Sequence, residues 1–195
     1  MEQPIKKYYT YEDILSWNED VRAEIIDGEL YMMAEPSRIH QYILRQLILR
    51  IGNFLEGKTC EIYPAPFGVR LFENDEDTPN KVDTVVEPDI SVVCDKKKLD
   101  DRGCKGAPDL VIEILSPSNE RHDKLVKLNL YQRAKVREYW IVDPRNCIVD
   151  VLLPDENGKL TISEVYSRKD KAPITVLPGC VIDLSTVFPE AEDRY

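Results

Sequence analysis

Glu113 lies within Asp109-Leu110-Val111-Ile112-Glu113-Ile114-Leu115, a run that is otherwise apolar and rich in branched side chains, the pattern of a strand covered on both faces. A carboxylate there needs a partner, because an unpaired buried charge is strongly unfavourable or takes up a proton. A metal ion, a lysine or a dense set of hydrogen bonds should therefore face it. Strand alternation puts Leu110, Ile112 and Ile114 on one face and Val111, Glu113 and Leu115 on the other. Upstream, Glu87-Pro88-Asp89-Ile90 sets an aspartate at the mouth of another apolar segment, behind a proline that cannot donate a ladder hydrogen bond. If the two segments are neighbouring strands, Asp89 and Glu113 come side by side and can share Mg²⁺, which takes a few hard oxygen ligands plus water and substrate phosphate. Pro108-Asp109 is nearer in sequence but unsuited. Four residues of extended strand separate Asp109 from Glu113 by about 13 Å, too far for one ion, so Asp109 reads as a strand-entry residue.

Beyond Glu113 the chain runs through Ser116-Pro117-Ser118-Asn119 into a helix predicted over about 123–135, on which Asp123, Lys127 and Tyr131 recur at four-residue spacing. Lys127 can lean from this helix toward the strand end. The competing reading is a surface pair with Asp123, worth only ~0.3–0.5 kcal/mol.

These residues must be positioned by the elements around them. Thr10 and Asp13 mark the start of a short helix over 11–18. Asp27-Gly28 between Ala23-Glu24-Ile25-Ile26 and Glu29-Leu30-Tyr31-Met32 reads as a tight hairpin. Ser37 caps a long helix with Ile39, Ile43, Leu47, Ile48, Ile51 and Leu55 on one stripe, closed by Gly57. Strand-length apolar segments follow at 60–63, 67–72, 90–94 and 109–115, then two strands around Pro144-Arg145-Asn146 and a further hairpin near 160–166. No repeat or linker interrupts the chain. One α/β (α+β) domain over 1–195 with a central mixed sheet flanked by helices is the expectation.

The 195 residues, 43% hydrophobic and 32% charged, suit one domain with a substantial core. No segment approaches the ~20 apolar residues of a membrane helix and the first residues lack the apolar core of a secretory signal, so a cytoplasmic location is expected. The five cysteines show no CxxC spacing, and neither a disulfide framework nor a zinc site is expected; reduced, mostly buried thiols are. A net charge of −10 argues against nonspecific nucleic-acid affinity, although Arg121, Lys124, Lys127, Arg133, Lys135 and Arg137 concentrate base in one short region.

Taken in order, Glu87-Pro88-Asp89-Ile90, Pro108 to Ser118 around Glu113, Asp123 with Lys127 and Tyr131, and Glu138-Tyr139-Trp140-Ile141-Val142-Asp143-Pro144 resemble the Uma-type restriction endonuclease family of the PD-(D/E)xK nuclease superfamily. Glu24-Ile25-Ile26-Asp27-Gly28-Glu29-Leu30 and His40 match the same pattern. The resemblance implies a restriction-endonuclease-like core over about 20–153 with an extra N-terminal hairpin and C-terminal strands. It further implies a metal-dependent endonuclease acting on DNA, with Asp89 and Glu113 holding Mg²⁺ or Mn²⁺ and a lysine completing the site. The superfamily lysine stands two residues beyond the glutamate, where this chain has Leu115. Lys127 matches the family's lysine position best, with Lys124 as second choice. Glu24 is either a hairpin surface residue or an accessory group in the cleft, and His40 either a capping or packed histidine or another such group. The alternative function is a nuclease-like fold that binds nucleic acid or protein without cutting. A homodimer would suit an enzyme that cuts two strands.

Overall fold

The alternation read at Glu113 decides how the layers stack. In the computed structural model, residues 8–17, 21–116 and 122–190 are described, with backbone only for 122–124. The chain begins with helix α1 (Tyr11–Ser16) and the hairpin β1 (Ala23–Ile26) and β2 (Glu29–Met32), followed by the long helix α2 (Arg38–Leu55). Next come β3 (Glu61–Pro64), β4 (Val69–Arg70), β5 (Val85–Val86), β6 (Ile90–Val93), β7 (Leu99–Asp100), β8 (Gly103–Lys105) and β9 (Leu110–Ile114). A π-helix (His122–Lys127) runs directly into α3 (Leu128–Arg133), and the chain closes with β10 (Glu138–Asp143), β11 (Ile148–Pro154), β12 (Leu160–Ser167), β13 (Lys171–Pro173) and β14 (Val181–Asp183).

Two six-stranded mixed sheets result, one ordered β12-β11-β10-β9-β6-β3 and the other β2-β1-β5-β4-β8-β7. In the first, β9 sits centrally, parallel to β10 and antiparallel to β6. Leu110, Ile112 and Ile114 join the core beneath α2, together with Trp140, Val142, Val149 and Val151. Val111 and Leu115 join the opposite core with Tyr139, Ile141 and Leu152, where α3 and the inner residues of the second sheet, among them Ile26, Val69 and Val86, complete the packing. The expected α+β core is present. Helix α2 covers one face of the main sheet, and α3 together with the second sheet covers the other.

Local signals explain the elements that border the site. Asp27 and Gly28 adopt positive φ (51° and 81°), as a two-residue hairpin turn requires. Ser37 accepts the His40 backbone N–H at 3.2 Å and so starts α2. The predicted helix over 123–135 is replaced by the π-helix and a six-residue α3. Among the cysteines, the expectation of reduced thiols fails for one pair. Cys60 and Cys94 form a disulfide with Cα atoms 3.9 Å apart, whereas Cys104, Cys147 and Cys180 are free and buried as expected. The reason is register: β3 and β6 pair Glu61 with Val93, and one step further the two cysteines face each other.

Glu138 fastens the C-terminal segment to the main sheet. Its fully buried carboxylate accepts the Trp140 indole N–H on one oxygen (2.7 Å) and the Val176 N–H on the other (2.8 Å). Burial pushes its pKa up against the pull of those donors. Glu138→Ala strands both donors, and a loss of about 2–5 kcal/mol in urea unfolding is expected. A change within experimental error would show that these bonds do not hold the segment.

Candidate active site

The site forms where β6 runs out. Ile90 pairs with Ile112, and continuing the antiparallel register by one step sets Asp89 opposite Glu113. Leu115 N–H bonds to Val142 on β10 at 2.8 Å, so the preceding amide, Ile114 N–H, faces the side where Pro88 has ended the ladder. The Asp89 side chain fills that gap, its Oδ2 accepting Ile114 N–H at 2.7 Å and lying 3.0 Å from His40 Nε2. Asp109, by contrast, accepts Cys94 N–H and the Arg137 guanidinium, both at 2.8 Å, as befits a strand-entry residue.

Glu113 is 3% exposed and Lys127 4% exposed, which removes the reading of Lys127 as a surface partner of Asp123. Lys127 Nζ lies 2.9 Å from Glu113 Oε1 and 3.0 Å from Glu24 Oε1. Tyr131 donates its hydroxyl to Glu113 Oε1 at 2.6 Å. Glu24 also accepts Glu87 N–H at 2.9 Å and is buried, so it is an internal residue, not part of the hairpin surface. One amine thus joins a carboxylate of each sheet. Burial, together with the charges of Glu113 and Glu24, raises the Tyr131 pKa well above its usual value, keeping the phenol a donor.

Asp89, Glu113, Ile114, His40, Arg22 and Lys127 are among the residues lining one cleft around a cavity of about 70 Å³, room for a small ion and water. Arg22 sits at its edge, bound to Glu87 at 3.0 Å. Among the described residues no three His, Cys, Asp or Glu side chains converge as a preformed metal cage. The oxygens that could serve an ion are the two cross-strand carboxylates, a hard donor set of the size Mg²⁺ uses when water and substrate supply the remainder.

All five residues Asp89, Glu113, Lys127, Glu24 and His40 therefore meet in one connected constellation. The Lys124 side chain and Arg121 lie outside the described residues. Leu115, where the superfamily lysine would stand, is packed into the apolar core between the sheets. In the sequence Tyr131 is marked by its four-residue spacing from Lys127 and by its place in the family pattern, neither of which discloses its bond to Glu113. Within the expected basic region, Arg133 pairs with Asp27 and Arg137 with Asp109, while Lys127 is buried.

The Uma2 family, described as "Putative restriction endonuclease", matches residues 6–185. The chain belongs to this family. An uncharacterized Synechocystis sp. protein, slr1290, is 29% identical over 163 residues, spanning 82% of this chain and 81% of that protein. A crystal structure from Anabaena variabilis, described as a putative nuclease belonging to DUF820, superposes with a TM-score of 0.72 at 19% identity. That match covers 92% of this chain and 97% of the other, so the two share their fold nearly end to end. No helix among the described residues of this Uma2 member is long and apolar enough to cross a membrane.

Replacing the buried amine tests the constellation. Lys127→Met leaves Glu24 and Glu113 facing a thioether, for which a loss of about 3–5 kcal/mol is expected in urea unfolding. Adding Glu24→Gln should restore part of that loss, because one of the two stranded charges is removed. Full stability of Lys127→Met would show that the amine is not their principal partner.

Proposed function

We propose that this Uma2 protein is a divalent-metal-dependent endonuclease that hydrolyses phosphodiester bonds of DNA. The observation that supports this reading most is the meeting of Asp89, Glu113 and Lys127 on one cleft wall. In this reading Asp89 and Glu113, with the Ile114 carbonyl, hold Mg²⁺ or Mn²⁺. A bound ion would supply Lewis-acid polarisation of the phosphoryl group and a lowered pKa for bound water.

The chain's own groups carry the rest of the chemistry. Lys127 presents a fixed positive charge beside the metal carboxylates, where it orients the attacking water or neutralises charge building on the phosphoryl oxygens. Glu24 holds that amine from the far side, and Tyr131 fixes the Glu113 carboxylate, so neither group must be ordered during the reaction. His40 sets the rotamer of Asp89 through its Nε2 contact. Two copies acting together would cut both strands of a duplex.

A second reading is favoured by the same ion pair. Lys127 and Tyr131 already serve Glu113 without a metal, which suits a nuclease-like fold that binds nucleic acid or protein without cutting. Mn²⁺ binding followed by calorimetry, alongside cleavage of single-stranded, duplex and branched DNA, separates the two. The nuclease reading expects binding and cleavage, with Asp89→Ala and Glu113→Ala each lowering the rate by at least about 100-fold. Retained cleavage in those variants would overturn the residue assignment. Absence of both metal binding and cleavage in the wild-type protein would favour the binding module.

A further inference from the structure

Strand β3 is an edge strand held by a short ladder, by Ile62 packed against the main core and by the Lys96–Glu61 ion pair at 2.6 Å. It is four residues long, lies at the sheet edge and pairs only with β6. Its last residue, Pro64, cannot donate to a ladder. Two ties lie just beyond its ends: the Cys60–Cys94 disulfide, and the Ala65 N–H bond to the Asp89 carbonyl at 3.1 Å. The disulfide lies at a partly exposed position of the fold. Cys60 and Cys94 are only half-buried, and Cys60 lines an open groove between α2 and β3 with Gly52, Asn53, Glu56, Ile62 and Tyr63.

The remaining cysteines are a contrasting set. Cys104, Cys147 and Cys180 are buried singly, and burial pushes the Cys104 and Cys180 thiols up to about 11, so little thiolate is present near neutral pH. Redox chemistry is therefore concentrated at one pair, and that pair staples an edge strand.

We propose that Cys60–Cys94 is a reversible thiol–disulfide exchange site whose oxidised form locks β3 onto β6, and that its co-reactant is a small dithiol or the corresponding disulfide. In reduction, a thiolate of the dithiol attacks Cys60 Sγ from the groove, the protein S–S bond breaks and Cys94 leaves as a thiolate that takes up a proton. The second thiol of the reductant then displaces Cys60 from the mixed disulfide. Two electrons and two protons pass to the protein, and the reductant becomes a disulfide. Oxidation runs the same exchange in reverse. Without the staple, β3 keeps its short ladder, the Ile62 packing and the Lys96–Glu61 pair but loses its covalent tie, and the loop through Ala65 beside Asp89 opens more often. This proposal goes beyond the nuclease reading and does not require it.

The folded full-length chain is treated with oxidised or reduced dithiothreitol and then with N-ethylmaleimide before mass analysis. Two labels per reduced chain, at Cys60 and Cys94, and none at these positions in the oxidised chain are expected. Hydrogen exchange at Tyr63 and Ala65 should quicken by about tenfold or more on reduction, while the β9 and β10 amides stay protected. Cys60→Ser should show the fast exchange with or without reductant, and Cys94→Ala should do the same. Labelling of Cys60 and Cys94 after oxidant, or equal exchange of β3 in both states, would overturn the proposal.

Discussion

The buried charge of Glu113 is the constraint around which the two sheets are arranged. A carboxylate almost without solvent access requires a positive or donating partner, and the chain supplies both kinds at one oxygen, the Lys127 amine and the Tyr131 hydroxyl. The amine is in turn a buried charge, and Glu24 from the second sheet lies beside it. Each charge is tolerable only because the others are in place.

Backbone geometry brings the groups within reach. Pro88 stops the β6 ladder one residue before Asp89, and the freed Ile114 N–H is taken by the Asp89 side chain, not by a strand neighbour. A structural gap in the sheet thus orients a carboxylate toward the cleft. The π-helix contributes in a parallel way. Lys127 is its last residue and Tyr131 lies one turn into α3, and both side chains converge on a single oxygen of Glu113. Such wider turns are often found at functional sites.

How far the sequence discloses this depends on the length scale of each signal. The face of Glu113 is legible because strand alternation is strict and the run around it is apolar. The pairing of Asp89 with Glu113 follows from reach, which also rejects Asp109. Lys127 is legible through family resemblance, but the role of Tyr131 is not, since a tyrosine at helical spacing reads equally well as core. The π-helix leaves no mark, because its residues fit an ordinary helical pattern. The two-residue strands β4, β5 and β7 are too short for any period, and the Cys60–Cys94 bridge depends on a β3–β6 register that neither segment specifies alone.

With leucine at position 115 and the buried amine at position 127, what Glu113 depends on lies beyond its own strand. A lysine two residues beyond Glu113 would ride on the same strand, with Cα atoms ~7 Å apart, and would stay near the carboxylate wherever β9 is formed. Leu115 instead packs into the apolar layer between the sheets, helping to bind them together. The amine now arrives from a separate helix and is shared with a strand of the other sheet, so it reaches Glu113 only when both have docked. Opening of the π-helix would withdraw the amine while leaving the central strands intact. Completion of the site is thereby tied to closure of the whole layered structure, and not to formation of β9 alone.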